Sequence, residues 1–366
     1  MVETGAKPKI SPLRERLQRA ARTLTTPLLP DDYIALMNPL WSTRELTGTI
    51  ERIRRETADT STVVIRPSFE WPGHQAGQYL RIGVEINGIR HWRAYSITSD
   101  PGHPDGLVSI TVKHVETGKM SPYFARHAEP GSIVFLGDVE GTFCLPDPPP
   151  AQPLFISAGS GITPIMSMIR ELARRESLDD AIHIHGARSA DDFIFDEMLR
   201  GLAERHPGYR LHDHFSSVKG RIGGATIEEI CPDWRQRETF MSGPEGLMSA
   251  LRELWKREGD PELLHQESFQ PVIGLGESEV GSGGTVRFRV TDVDATCEQG
   301  VSILVGGEQA GAVLPFGCRM GICHTCVGRL AAGRLRDLRT GDVHGEQGEM
   351  VRTCVNAPEG HVEIDL

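Results

Sequence analysis

Apolar and polar positions change their rhythm along the chain. Between residues 48 and 140, six short runs alternate apolar with polar, or run apolar, between Gly, Pro, Asp and Asn: GTIERIRRE, TSTVVIRPS, QYLRIGVEI, HWRAYSITS, LVSITVKHV and SIVFLGDVE. Period-two alternation between such punctuation marks half-buried strands, and six strands with one short helix predict an antiparallel barrel. From about 152 to 268 strand-like runs trade places with helix-length segments: PLFISA, PIMSMIRELARR, AIHIHGA, DDFIFDEMLRGLAERH, ETFMSG and PEGLMSALRELWKRE. That alternation predicts a doubly wound parallel sheet. The last block opens on TVRFRVTDV, closes on HVEIDL and carries most of the cysteines in a long loop.

Two stretches interrupt these patterns. PDPPPAQP, Pro146 to Pro153, reads as a stiff connector, and GLGESEVGSGG, Gly274 to Gly284, reads as a flexible linker. The expected division is an arm at 1–45, the barrel at 46–147, the α/β domain at 148–270, a linker at 271–283 and a third domain at 284–366. In the arm, Leu13, Leu17, Ala20, Ala21 and Leu24 recur at helical spacing among Arg14, Arg16, Arg19 and Arg22. A short basic amphipathic helix is expected there, packed across its own domains or leaning on anionic lipid.

Composition narrows the classes. A net charge of −11 over 366 residues argues against a nucleic-acid surface, and 39% apolar residues suffice for sizeable cores. No secretion-type apolar core opens the chain and no run of about 18 apolar residues occurs, so a soluble cytoplasmic protein is expected. Seven cysteines in so long a chain do not make a disulfide scaffold. Cys144, Cys231 and Cys297 are scattered and read as small apolar residues.

The other four are not scattered. Within GCRMGICHTC, Cys318 to Cys323 is C-x4-C and Cys323 to Cys326 is C-x2-C; Cys354 follows Cys326 after 27 residues. This is the plant-type [2Fe–2S] spacing, whereas zinc usually takes paired C-x2-C units. Gly317 and Gly321 relax the backbone where side chains would collide with a cluster.

An electron carrier needs a source. In RAYS, Arg93 can neutralise a cofactor diphosphate, Tyr95 can cover an isoalloxazine, and Ser96, the candidate catalytic residue, can hydrogen-bond near flavin N5. Thr111 and Lys113 are offered by the adjacent strand. In TGKMSP, Gly118 turns, Ser121 is the expected N-cap and Pro122 the first helical residue, a start suited to the diphosphate of FAD rather than FMN. FISAGSGITP runs a strand into Gly159 and Gly161, with Thr163 capping and Pro164 opening a helix; proline holds the last position, so this departs from G-x-G-x-x-G. After the next strand, Arg188 and Ser189 suit a 2′-phosphate and hence NADPH; Lys219 or Arg221 can assist. Ser242, Gly243 and Pro244 turn beside the nicotinamide's path. The pairs His183/His185 and His212/His214 follow strand alternation rather than a metal site.

Taken in order, R-x-Y-S, G-x-x-S, G-x-G-x-T-P, S-G-P and C-x4-C-x2-C…C resemble the ferredoxin–NADP reductase superfamily, in the oxygenase- and desaturase-reductase branch with a fused ferredoxin. GCRMGICHTC and LLPDDYIALMNPLWSTREL are similar to NADPH oxidoreductases that feed acyl-CoA desaturases. The resemblance implies a flavin-binding barrel, a nucleotide domain and a β-grasp-like ferredoxin domain in a monomer. It implies that Arg93, Tyr95 and Ser96 bind flavin and that Gly118, Lys119, Met120 and Ser121 hold its diphosphate. It further places Thr163 and the Gly243-Pro244 turn near the nicotinamide, with Phe269 touching the flavin. Many members carry cysteine where this chain has Ser242. The implied reaction passes electrons from NADPH through FAD and a [2Fe–2S] cluster to a terminal desaturase or oxygenase, with the basic arm available to meet a membrane-bound acceptor. An NADH-dependent reductase of an aromatic-ring or P450 oxygenase and a redox-sensing module are the competing readings.

Overall fold

The structure is a computed structural model and describes residues 46–68, 71–86, 88–116, 118, 120–267, 282–316, 321 and 324–366. The expectations for the arm, for most of the linker and for Lys119, Phe269, Cys318 and Cys323 lie outside the described residues.

Strands β1 (Thr47–Arg55), β2 (Thr60–Pro67), β3 (Tyr79–Ile86), β4 (Ile89–Ser96), β5 (Val108–Lys113) and β6 (Ile133–Glu140) form one sheet in the order β4-β3-β6-β1-β2-β5. Their pairings are antiparallel. An antiparallel bridge between Ile97 and Ile110, with Thr98 N–H donating to the Ser109 carbonyl at 2.8 Å, joins the two ends of that order. The sheet therefore closes into a barrel. Val63 and Ile65, and likewise Leu80, Ile82 and Val84, are fully buried at every second position, as the pleat requires. The short helix Met120–Arg126 adds Met120 and Phe124 to this core.

The α/β domain holds β7 (Leu154–Ala158), β8 (Ala181–Ala187), β9 (Tyr209–Phe215), β10 (Thr239–Ser242) and β11 (Leu264–Glu267), all parallel, in the order β11-β10-β7-β8-β9. Every residue of β8 and β10 is buried, which is why those strands read as unbroken runs rather than alternations. The chain winds outward through β8 and β9 on one side of β7 and through β10 and β11 on the other. Winding thus reverses between β7 and β10, the place where such sheets open a crevice at the carboxyl ends of the strands. The edge strand β11, only LHQE, escaped the sequence pattern because four half-exposed residues carry almost no periodic signal.

The third domain is a mixed sheet. It comprises β12 (Gly283–Phe288), β13 (Val293–Cys297), β14 (Val327–Ala332), β15 (Leu335–Asp337), β16 (Val343–His344), β17 (Met350–Arg352) and β18 (Asn356–Asp365). The order is β13-β12-β18-β14-β17, with β15 on β18 and β16; β12 and β18 pair in parallel. Helix Ile303–Gln309, capped by Ser302, buries Ile303 and Leu304 in the same core as Val286, Leu330 and Ile364.

The described chain divides into two compact units. One holds the described residues up to His91, Tyr95–Pro149 and Met166–Ser177; the other holds Trp92–Ala94, Pro150–Ile165 and Leu178–Leu366. The second half of helix Ile162–Arg174 thereby belongs with the barrel: Ser167 Oγ accepts the Gly77 N–H at 2.8 Å and Arg174 Nε donates to Asp100 at 2.6 Å. Among the described residues no helix is long and apolar enough to cross a membrane.

Candidate cofactor-binding sites

The barrel places Arg93, Tyr95 and Ser96 at the end of β4. The Tyr95 ring meets Phe124 edge-on at 5.9 Å, so the helix Met120–Arg126 fixes its orientation. Ser96 is buried and its Oγ has no hydrogen-bond partner among the described residues. A buried hydroxyl left unpaired costs free energy, which marks it as waiting for a ligand. Half-buried Arg93 makes no ion pair among the described residues. On β5, Thr111 shares a 2.8 Å hydrogen bond with Thr62, and Lys113 Nζ lies 3.2 Å from Asp59. Both are thus held by neighbours of their own barrel.

The helix beyond departs from the sequence expectation by two residues. It begins at Met120, so Ser121 sits in the first turn rather than at the N-cap. Its Oγ accepts the Val115 N–H at 3.1 Å, and Gly118 N–H donates to the Val115 carbonyl at 2.9 Å. These bonds close the turn that precedes the helix. The Met120 side chain is buried in the barrel core, so what Met120 offers a diphosphate is its backbone.

In the α/β domain, β7 ends in the 3-10 turn Gly159–Gly161, and the helix Ile162–Arg174 follows. Thr163 lies inside that helix, and its hydroxyl donates to the Ser160 carbonyl at 2.9 Å instead of capping. A Cβ on Gly161 would stand 2.2 Å from the Ser242 carbonyl oxygen, so glycine alone lets the turns after β7 and β10 come together at the winding reversal. Ser242 is fully buried, its Oγ without a partner among the described residues, and Pro244 leads into the helix Glu245–Glu258.

Beyond β8, Arg188 is exposed and free of ion pairs among the described residues, as are Lys219 and Arg221. Ser189 is engaged otherwise: its Oγ donates to Asp192 at 2.7 Å.

Two features of this sheet went unassigned in the sequence. Glu267, in register with Ser242, has a buried Oε2 without a partner among the described residues, and burial pushes its carboxyl up to about 8. The second is a buried polar chain: Ser157 Oγ meets His183 Nε2 at 2.9 Å and His185 Nδ1 at 2.7 Å, and His183 Nδ1 meets the Tyr209 hydroxyl at 2.7 Å. Burial holds both histidines well below their ordinary value, His185 at about 3.

Of the cysteine loop, Cys326 and Cys354 are described, both buried. Gly321 N–H donates to Cys354 Sγ at 3.2 Å, and Thr353 donates to the Cys326 carbonyl from N–H at 3.0 Å and Oγ1 at 2.9 Å. Gly321 has φ +73°, a conformation glycine adopts without strain. Cys231 and Cys297 are buried, and burial pushes their thiols up to about 12 and about 11, as inert packing residues require. Cys144 is half-buried.

Three family models match in chain order: the oxidoreductase FAD-binding domain over residues 50–143, the oxidoreductase NAD-binding domain over 155–253 and the 2Fe-2S iron-sulfur cluster binding domain over 288–359. The chain is 44% identical over 353 residues to an NADPH oxidoreductase of Mycobacterium tuberculosis, covering 96% of this chain and 92% of that protein. The chain belongs to the ferredoxin–NADP reductase superfamily. Within it, this reductase falls in the branch of oxygenase reductases with a C-terminal iron–sulfur domain. A glycine betaine monooxygenase reductase subunit of Pseudomonas aeruginosa is 29% identical over 316 residues, 79% of this chain and 86% of that one. The fold matches that of phthalate dioxygenase reductase with a TM-score of 0.59 at 21% identity, over 89% of this chain and 99% of that one.

The residues of this reductase fit the groups those domains bind. An orphan hydroxyl and an unpaired arginine suit a flavin, the glycine turns suit a dinucleotide, and a backbone N–H aimed at a cysteine sulfur suits a thiolate-ligated cluster.

Proposed function

We propose that this reductase takes electrons from NADPH and delivers them to a terminal fatty-acyl desaturase or hydroxylase. The single observation that supports NADPH as the donor is the 44% identity to an NADPH oxidoreductase across nearly the whole chain. The desaturase or hydroxylase acceptor follows from the resemblance carried by GCRMGICHTC and LLPDDYIALMNPLWSTREL. The bound FAD and [2Fe–2S] cluster supply the chemistry, turning a two-electron hydride into electrons released singly. The protein's part is to hold and orient. Ser96 would offer its hydroxyl to the flavin, Tyr95 would cover the ring and Arg93 would neutralise the diphosphate. Gly118, Lys119, Met120 and Ser121 would hold that diphosphate. Gly159 and Gly161 admit the nucleotide diphosphate to the backbone, while Ser242, Gly243 and Pro244 line the nicotinamide's path. Cys318, Cys323, Cys326 and Cys354 supply the thiolates. We assign the basic arm, residues 1–45, to contact with a membrane-bound acceptor, made by a monomer.

Arg188, exposed and without an ion pair among the described residues, supports NADPH. One observation favours the second reading, an NADH-dependent reductase of an aromatic-ring or P450 oxygenase: Asp192 puts a carboxylate on Ser189 in the same turn. Arg188→Ala separates the two. Loss of a charge-assisted contact to phosphate should raise the KM for NADPH about tenfold or more, with the KM for NADH changing less than about twofold. Equal changes for both nucleotides would favour the NADH reading.

A further inference from the structure

We propose that Arg352 is a positioning residue for the iron–sulfur centre, clamping the cysteine loop at Gly321 and fixing one positive charge beside the thiolates. Its Nη1 donates to the Gly321 carbonyl at 2.7 Å and reaches His324 Nε2 at 3.3 Å. Gly321 is the same residue whose N–H donates to Cys354 Sγ. The loop is thus held from both sides of one α-carbon, by a cysteine on one peptide group and by a guanidinium on the next.

The root of this arginine is fixed. It lies on β17 in register with Val327, the residue after Cys326. Its carbonyl accepts from Asn356 Nδ2 at 2.9 Å, and Asn356 Oδ1 in turn meets His344 Nε2 at 2.8 Å. Thr353, the next residue, holds the Cys326 carbonyl. The charge is also unspent: Arg352 makes no ion pair among the described residues, and Asp337, a carboxylate that feels it, is occupied by Arg339 at 2.6 to 3.0 Å.

A centre of two irons, two sulfides and four thiolates goes from −2 to −3 when one electron reduces one ferric ion to ferrous. A guanidinium kept close favours the more negative state by direct charge–charge attraction. Gly321 has no room to retreat, since even a Cβ there would come within 2.8 Å of Val355.

The inference rests on the iron–sulfur reading of this loop, and full-length protein tests the two separately. Wild type, Arg352→Gln and Arg352→Lys are assayed for iron and sulfide, then titrated with dithionite under electron paramagnetic resonance, with chelator bleaching timed in parallel. Wild-type protein without iron would end the iron–sulfur reading itself. Given loaded wild type, Arg352→Gln should lower the equilibrium constant for reduction about tenfold, about 59 mV for a one-electron couple, and bleach faster. Arg352→Lys should restore both to within about twofold, because the ammonium keeps the charge and a donor. An unchanged potential in Arg352→Gln, or a potential in Arg352→Lys displaced as far as in Arg352→Gln, overturns the proposal. If the glutamine variant does not load its cluster, a loaded lysine variant near the wild-type potential supports the clamp, and a lysine variant that also fails to load overturns it.

Discussion

Glu267 and Ser242 face the same problem from adjacent strands: each buries an oxygen that finds no partner among the described residues. For the carboxyl the response is to hold its proton, at about 8 rather than the ordinary 4.3 or so. A raised folded-state value means the folded chain binds the proton more tightly than the unfolded one. Its contribution to stability is full below the unfolded value and is lost as pH rises through about 8. Glu267→Gln should therefore melt higher than wild type at pH 9 and close to it at pH 5, as followed by circular dichroism. A variant that melts lower at pH 9 would show that the carboxylate has a partner when ionised. RAYS and the glycine turns stood out in the sequence because of the order in which they follow one another along the chain. Glu267 did not, because an isolated glutamate near the end of a polar tetrapeptide looks like any solvated charge until the sheet covers it.

Among elements, the parallel strands β7, β8 and β9 are tied by the chain Ser157–His183–Tyr209 and Ser157–His185. Both imidazoles are neutral in the fold and titrate near 6.5 once exposed. Because their folded values are depressed, their contribution is intact above about 6.5 and declines as pH falls toward about 3. His185→Leu removes one of these groups. We expect it to be less stable at pH 7 and to lose melting temperature less steeply between pH 6.5 and 4.5; an unchanged slope would exclude His185 from the acid response. The turns after β7 and β10 carry the second prediction at this scale. Gly161→Ala drives a methyl to within 2.2 Å of the Ser242 carbonyl, backbone that cannot swing aside. A cost of about 1–3 kcal/mol is expected, with weaker pyridine-nucleotide binding by difference spectroscopy, and unaltered binding would argue against the closeness of these turns.

Across the whole molecule, barrel, parallel sheet and mixed sheet follow in the order of the three matching domain families, so a single chain carries the FAD-binding, NAD-binding and 2Fe-2S domains of the electron path. Cys323→Ser should interrupt that path at one place. Nucleotide-driven bleaching of the flavin is expected to proceed at the wild-type rate while reduction of cytochrome c stops. Continued cytochrome c reduction would mean that electrons leave from the flavin directly.

Periodicity by itself determined the six barrel strands and the main strands and helices of the parallel sheet, since burial imposes rhythm locally. Tertiary structure alone decided that a helix of the α/β domain lends its second half to the barrel unit, that Ser96 and Ser242 find no side-chain partner among the described residues, and that Arg352 meets Gly321 across 31 residues. Those facts depend on which side chains meet after folding. Pairings between segments distant in sequence leave no period behind them.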